Sequence, residues 1–288
     1  MSDKPNDMVP WEGLSKPLVK ILEMVQAGCG AVWEKHGIVR RAQGEARAAM
    51  LKATSNLAIS EVQARATDRF LAREVERQLN IESIARQAHE ELPPHVRAEE
   101  RPLPESDWIA AFFNYAQDIG DSQMQQLWAK LLAGEIVRPR SFSRRTLSVV
   151  RDLGAQEANE FAALCHWRVA FWDPHVTYLV RTSRENKRTP SSDLDNLASV
   201  GLIYVDRDEF FMDTLGVALF AVGDVAYKAL WNGAPEEQVR RLPLGIAQLT
   251  RSGEELSKLI PHAEGDELAA PIRSYWESHK WLVKINPR

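Results

Sequence analysis

A short arginine-rich loop is the strongest candidate for binding chemistry in this chain. The stretch RPRSFSRR contains four arginines: Arg138, Arg140, Arg144 and Arg145. A guanidinium group donates hydrogen bonds in a planar fork that matches carboxylates and phosphates. Arg144 and Arg145 come at the start of a predicted helix, where positive charge is unfavourable, so a compensating anion is expected. Three sources stay open: internal pairing with Glu135 and Asp152, a phosphate or nucleic acid, and a protein partner.

No catalytic, metal or nucleotide motif accompanies this loop. The GCG at 28–30 lacks a following Lys-Ser/Thr and a preceding strand, which excludes a phosphate-binding loop. The histidines are dispersed, and a metal site needs three or four converging ligands. One acidic group is dense enough to suggest metal-dependent catalysis, but helix caps and turns explain several of its members. The group is Asp193, Asp195, Asp206, Asp208, Glu209 and Asp213. We therefore expect no enzymatic activity, no cofactor and no metal.

The loop should be positioned by two helices that pack in a core. In DSQMQQLWAKLLAGE the apolar residues recur at steps of three and four, and Trp128 widens their stripe, which predicts a buried helix. Asp121 or Ser122 is the expected N-cap, and Gly134 followed by Pro139 is expected to end the helix. Ser143 is a second predicted N-cap. The whole stretch 121–147 is thus predicted to organise the chain.

Two helical segments are expected before this region. Residues 14–36 carry an apolar stripe that is a candidate for an oligomer interface or for a membrane surface: Leu18, Leu22, Val25 and Trp33. From Gly37 to about Leu92 the chain is rich in Ala, Arg, Glu and Gln without proline, which favours a long charged helix. A break is expected near Ser55-Asn56 or Asn80, and self-association as a coiled coil stays open.

The fold class expected is mainly α, with a small C-terminal α+β part that resembles a winged helix. Strands are predicted for HVTYLV at 175–180, for 202–205 and for 244–249, and short helices for 156–167, 194–200 and 254–260. The tail from Pro271 is expected to form a helix and then a strand. We divide the chain as follows: 1–13, a flexible N-terminus; 14–92, a helical region with a long charged helix; 105–153, a central helical domain; and 154–288, the winged-helix-like region with an insertion at 213–242.

Composition bounds the class of protein. The 288 residues carry a formal net charge of −4 and a sequence pI near 6.0, which argues against a dedicated nucleic-acid binder. The two cysteines, Cys29 and Cys165, are far apart, the sequence has no long apolar run, and no signal peptide is expected. A cytoplasmic protein without a spanning helix is therefore expected.

Several short stretches together resemble a known type of bacterial protein. They are MQQLWAKLLAGE, SFSRRTLSVVRDLGAQEANEFAAL, DLDNLASVGLI and LTRSGEEL. These stretches resemble an uncharacterised bacterial family known only as a domain of unknown function. In the order of its elements the chain is also similar to the abortive-infection alpha family of phage-resistance proteins. The resemblance covers most of 14–36 and 105–260 and brings no active site with it.

The resemblance implies a non-enzymatic protein of phage defence or stress response that acts by self-association or through a protein partner. Two alternatives stay open: a nucleic-acid-binding winged-helix protein that uses the arginine loop, and a membrane-inserting effector that uses 14–36. A fold outline alone does not decide among these functions, because function depends on the site.

Overall fold

The computed structural model describes most of the chain beyond its first fifth. The described residues are 57–93, 104–166, 168–172, 175–179, 191–222, 225–233, 239–261 and 269–285. The chain forms two units, Met1–Leu147 and Ser148–Arg288. The predictions made for 1–13, for 14–36 and for the first part of the long charged helix lie outside the described residues.

Unit 1 is helical in its described part. Its helices are α1 (Leu57–Glu91), α2 (Ser106–Ala116) and α3 (Ser122–Val137), and α4 (Arg144–Asp152) contains the boundary between the units. Asp121 caps α3, as predicted, by accepting a hydrogen bond from the backbone of Met124 at 2.9 Å. The break predicted near Asn80 is wrong, because α1 continues through it. Asn80 instead donates its side-chain amide to the Gln117 carbonyl oxygen at 3.1 Å.

The core of unit 1 is centred on Trp128, whose predicted burial is confirmed. Trp128 is fully buried, and its ring meets Phe112 of α2 edge-on with the ring centroids 5.2 Å apart. Phe112 in turn stacks on Trp108 at 5.3 Å. Aromatic pairs in these geometries contribute beyond the area that they bury. Aromatic side chains from both helices therefore pack α2 against α3.

Unit 2 alternates helices and strands. In chain order its elements are α5 (Ala155–Cys165), β1 (Arg168–Trp172), β2 (His175–Leu179), α6 (Ser191–Ser199), β3 (Ile203–Thr214), β4 (Val217–Val222), β5 (Val225–Trp231), β6 (Arg240–Leu249), α7 (Arg251–Ser257), α8 (Ala269–Ser278) and β7 (Trp281–Ile285). The helices expected at α5, α6 and α7 and the strand expected at β2 are confirmed. The tail forms a helix and then a strand, also as predicted.

The strands form a seven-stranded sheet in which every pairing is antiparallel. Its order is β3-β6-β2-β1-β4-β5-β7. One face packs against α8, where Trp276 is fully buried among Phe171 and Phe220 and donates its indole N–H to the Pro243 carbonyl oxygen at 2.6 Å. The sheet therefore carries a core of its own.

The expected fold class is wrong. The described residues are 57% helix and 24% strand, so the protein is a mixed α/β fold and not mainly α with a small C-terminal α+β part. The winged-helix outline is also wrong. The strands expected at 202–205 and 244–249 are parts of β3 and β6, which belong to the seven-stranded sheet. The stretch 213–242, expected as an insertion, provides β4, β5 and the ends of two further strands. Strand pairing between residues distant in the chain was not visible in local periodicity.

Candidate functional site

The arginine loop connects α3 to α4. Of the two residues predicted to end α3, Gly134 does not stop it: the helix continues to Val137 and ends ahead of Pro139. Arg138 closes it by donating its backbone N–H to the Gly134 carbonyl oxygen at 2.9 Å. Arg140 then takes a left-handed backbone conformation with φ of 69°. This conformation is uncommon for a residue with a side chain, so the surrounding structure must hold it in place.

Glu135 provides that support from inside the protein. Its side chain is almost fully buried, and its two carboxylate oxygens accept the backbone N–H groups of Arg140 at 2.6 Å and of Phe142 at 3.1 Å. The backbone of Ser141 also donates to this carboxylate. Successive N–H groups that converge on one anion fix the path of the backbone. Glu135 thus folds the loop around its own charge.

The downstream half of the loop is fixed by Phe142 and two serines. The Phe142 ring is buried in unit 1. Ser143, the predicted N-cap, accepts the Thr146 backbone N–H at 3.3 Å, while the Ser141 hydroxyl donates to the Arg138 carbonyl oxygen at 2.6 Å. The loop is consequently held at its start, centre and end.

The fixed loop leaves all four arginine side chains exposed. The predicted pairing with Glu135 and Asp152 is wrong: Glu135 binds the loop backbone, and Asp152 pairs with Arg151 at 2.7 Å. Acids ahead of and within α2 take their place, with Glu105 at 3.0 Å from Arg140 and Asp107 at 3.8 Å from Arg144. Such exposed pairs contribute at most about 1 kcal/mol.

Two of the arginines keep their charge available. Within the ranges that the structure describes, no acidic side chain lies within 4.0 Å of Arg138 or Arg145. The structure therefore brings four guanidinium groups to one surface, formed by the fixed loop and the first turn of α4. Two of them form exposed ion pairs, and Arg138 and Arg145 do not pair with any acid in the described ranges. The other candidate group, Leu18, Leu22, Val25 and Trp33, lies outside the described residues.

Titration of Glu135 should make the stability of unit 1 depend on pH. Burial raises the pKa of the Glu135 carboxyl, and the three backbone hydrogen bonds act against that rise. The folded chain therefore holds this proton more readily than the unfolded chain, so the contribution of Glu135 to the free energy of unfolding is most favourable below the unfolded pKa and declines as pH rises through the folded pKa.

We expect urea unfolding followed from about pH 4 to pH 7 to show this decline in the native chain, and to show a shallower decline in Glu135→Gln, which cannot titrate. Equal pH slopes in the two proteins would contradict the assignment.

The other titratable candidates are not brought together. Cys165 is buried, and burial raises the pKa of its thiol to about 12, which leaves the thiol protonated and unreactive. Of the acidic group considered from sequence, Asp213 pairs with Arg241 at 3.9 Å. Among the described residues, no set of three His, Cys, Asp or Glu side chains is placed to hold a metal ion.

A buried polar cluster beneath α3 was missed by sequence reasoning. Gln125, almost fully buried, donates to Asn80 at 3.1 Å and to the Ile119 carbonyl oxygen at 2.9 Å, and accepts from the Ser83 hydroxyl at 2.8 Å. These bonds fix α3, and hence Glu135, against α1. A glutamine inside an apolar helical stripe was the only signal for this cluster in the sequence.

None of the helices in the described ranges combines the length and apolar composition needed to cross a bilayer.

Comparison with known proteins gives one match. No curated protein and no solved structure matches the chain. A family model matches residues 64–211, which include most of α1, the Trp128 helix, the arginine loop and the first part of the sheet up to β3. Because the match covers about half of the 288 residues, the chain belongs to the family described as "Protein of unknown function (DUF2806)".

Proposed function

We propose that this chain is a non-enzymatic interaction protein that binds an acidic segment of a partner protein through its arginine loop. One observation carries the proposal: the buried Glu135 carboxylate holds the loop backbone while all four arginine side chains stay exposed. A fixed loop loses little conformational entropy on binding, so its guanidinium groups can bind carboxylates at low cost.

The charges around the loop favour a protein over a nucleic acid as the partner. Glu105 and Asp107 lie beside Arg140 and Arg144, and the whole chain carries a formal net charge of −4. A continuous phosphate backbone would approach these acids as well as the arginines, and like charges repel it. A protein segment can place single carboxylates at Arg138 and Arg145 and avoid the acids.

Reversing two charges tests this proposal. We expect Arg138→Glu combined with Arg145→Glu to weaken binding of a fluorescein-labelled polyglutamate peptide at least about tenfold in fluorescence anisotropy, because two exposed guanidinium groups are replaced by carboxylates that repel the peptide. The control is Arg65→Glu combined with Arg69→Glu, which changes the same net charge on the exposed surface of α1.

Two results would overturn the proposal: equal weakening in the loop variant and the control, or absence of peptide binding by the native chain. Tighter binding of a DNA duplex than of the peptide, lost in the loop variant and weakened by salt, would replace the protein partner by a nucleic acid.

For the cellular role we propose phage defence or stress response of the abortive-infection type. The support is the similar order of sequence elements described above, together with a surface suited to a protein partner. Plaque counts on a host that expresses the native chain should fall for at least one phage of a broad panel, and the loop double variant should restore them. Unchanged plaque counts with the native chain would reject this role and leave the binding proposal to be judged by the peptide experiment.

A further inference from the structure

A second surface of unit 1 lies on α1 and has no connection with the arginine loop. The C-terminal part of α1 packs into the core through Ile81, Ile84, Ala85 and Ala88. A different face carries Leu71, Val75 and Leu79, which are 51%, 59% and 61% exposed. At 3.6 residues per turn, this stripe is centred about 130° around the helix from the buried face. It is therefore an apolar row facing away from the core.

Two oppositely charged residues stand on the same line as the stripe. Asp68 precedes it and Arg86 follows it, and both are exposed. They are about 18 residues apart, which is five full helical turns and about 27 Å, so they project in the same direction. In the part of the chain that the structure describes, neither forms an ion pair. The row thus has a negative end and a positive end.

This arrangement is complementary to itself when reversed. If two copies of α1 lie antiparallel about a two-fold axis at Arg77, Asp68 of one copy faces Arg86 of the other, and Val75 faces Leu79. A two-fold interface of this kind satisfies each contact twice. A parallel arrangement in register would instead place Asp68 against Asp68 and Arg86 against Arg86, which like-charge repulsion opposes.

The residue at the centre of the pairing does not obstruct it. Arg77 points to another side of α1, where its guanidinium group binds Asp118 at 2.7 Å and Glu74 at 3.1 Å. Two copies can therefore approach along the stripe without bringing their central arginines together. The overlap from Asp68 to Arg86 measures about 27 Å of helix, and the Val75–Leu79 contact occurs twice near its centre, between the charged ends.

We propose that a second copy of this chain docks on the Leu71–Val75–Leu79 row of α1 in antiparallel orientation, with Asp68 and Arg86 pairing between copies. The inference does not depend on the arginine loop or on its partner. It gives the protein a symmetric dimer in which the arginine loop is present twice, once on each copy.

Sedimentation equilibrium of the full chain tests the apolar row. The native chain is expected to show a reversible monomer–dimer equilibrium, and Val75→Asp combined with Leu79→Asp is expected to be monomeric at the same concentrations. Val62→Asp is the matched control, because Val62 is equally exposed on α1 but lies outside the row and before Asp68. A monomeric native chain, or a Val62 variant as strongly affected as the row variant, overturns the proposal.

The orientation is tested by exchanging the charges. Asp68→Arg alone and Arg86→Asp alone are each expected to weaken dimerisation at least about tenfold, and the double variant is expected to recover it, because the ion pairs re-form in reverse. Circular dichroism spectra are to be compared with that of the native chain to check that each variant is folded. A double variant that is no better than either single variant overturns the antiparallel arrangement, since only contact between residues 68 and 86 of different copies allows the rescue.

Discussion

Replacing Glu135 by alanine is expected to lower the free energy of unfolding of unit 1 by about 3–5 kcal/mol. The substitution removes the acceptor for the backbone N–H groups of Arg140 and Phe142, at 2.6 and 3.1 Å, and for that of Ser141. A donor left without a partner costs about 1–3 kcal/mol when it is buried, as at Phe142, and the less buried donors of Arg140 and Ser141 lose their acceptor at the same time. Arg140 also loses the contact that holds its left-handed backbone.

The control for this prediction is Glu135→Gln. Glutamine has the same shape and keeps one oxygen acceptor, but it presents an amide N–H₂ where the second oxygen accepted a hydrogen bond. In urea unfolding, we expect the free energy of unfolding of Glu135→Gln to lie between that of the native chain and that of Glu135→Ala. In hydrogen exchange, the amides of Arg140 and Phe142 should lose protection in Glu135→Ala well before the amides of α3. Unchanged protection of these amides would contradict the assigned role of Glu135.

The same substitution connects stability with binding. Arg138 and Arg145 keep their charges in Glu135→Ala, so any loss of binding to the polyglutamate peptide must come from the loss of a fixed loop. Ordering a mobile loop on binding costs free energy for each residue that becomes immobilised. Weaker binding in Glu135→Ala with all arginines present would therefore separate the geometry of the loop from its charge.

Local features of the central region could be predicted from the sequence because they depend on neighbouring residues. Asp121 caps its helix through an amide three residues away, and Trp128 is buried because it lies on an apolar stripe with helical period. Of the two residues expected to end α3, Gly134 does not, and the helix ends ahead of Pro139. Glycine is a frequent helix terminator, but burial of Glu135 and the Arg138 backbone bond to Gly134 carry the helix one turn further.

The partners of the loop arginines could not be predicted in this way. Glu105 precedes Arg140 by 35 positions, and only the packing of α2 against α3 brings the two together. From the sequence, Glu135 and Asp152 are expected to pair with Arg144 and Arg145, but Glu135 binds the loop backbone and Asp152 pairs with Arg151. A buried carboxylate and an exposed one have the same letter in the sequence, and their different roles follow from tertiary structure.

The sheet was underestimated because its pairings join distant segments. VALFAV and VAYKALW form β4 and β5, a hairpin whose register runs from Val217–Leu230 to Val222–Val225. As isolated apolar runs they do not reveal whether they are strands of the main sheet or an insertion. β3 pairs with β6, which follows it only after this hairpin, and that long-range pairing makes the hairpin an integral part of the sheet.

Replacing Gly253 by alanine is expected to lower the free energy of unfolding of unit 2 by about 3 kcal/mol, at the upper end of the cost of overpacking. Thr250 caps α7 by accepting the Gly253 N–H at 3.1 Å, and it also donates its hydroxyl to the Gly201 carbonyl oxygen at 2.7 Å and its backbone N–H to Leu202 at 3.0 Å. These bonds bring the start of α7 so close to Leu202 that a Cβ on residue 253 would overlap the Leu202 carbonyl oxygen.

Relief of that overlap is costly because the obstacle is backbone and not the end of a flexible side chain, so α7 must move away and strain the hydrogen bonds of its cap. Calorimetry should show a lower melting temperature for Gly253→Ala. Gly120→Ala should stay within about 0.5 kcal/mol of the native chain, since a Cβ at Gly120 has no atom within 4 Å. Equal melting temperatures for the two alanine variants would contradict the close approach. A loss of stability confined to Gly253→Ala would explain why glycine stands three residues after Thr250 in LTRSGEEL. The start of α7 and the Gly201-Leu202 backbone, which are distant in the sequence, then form one close structural contact.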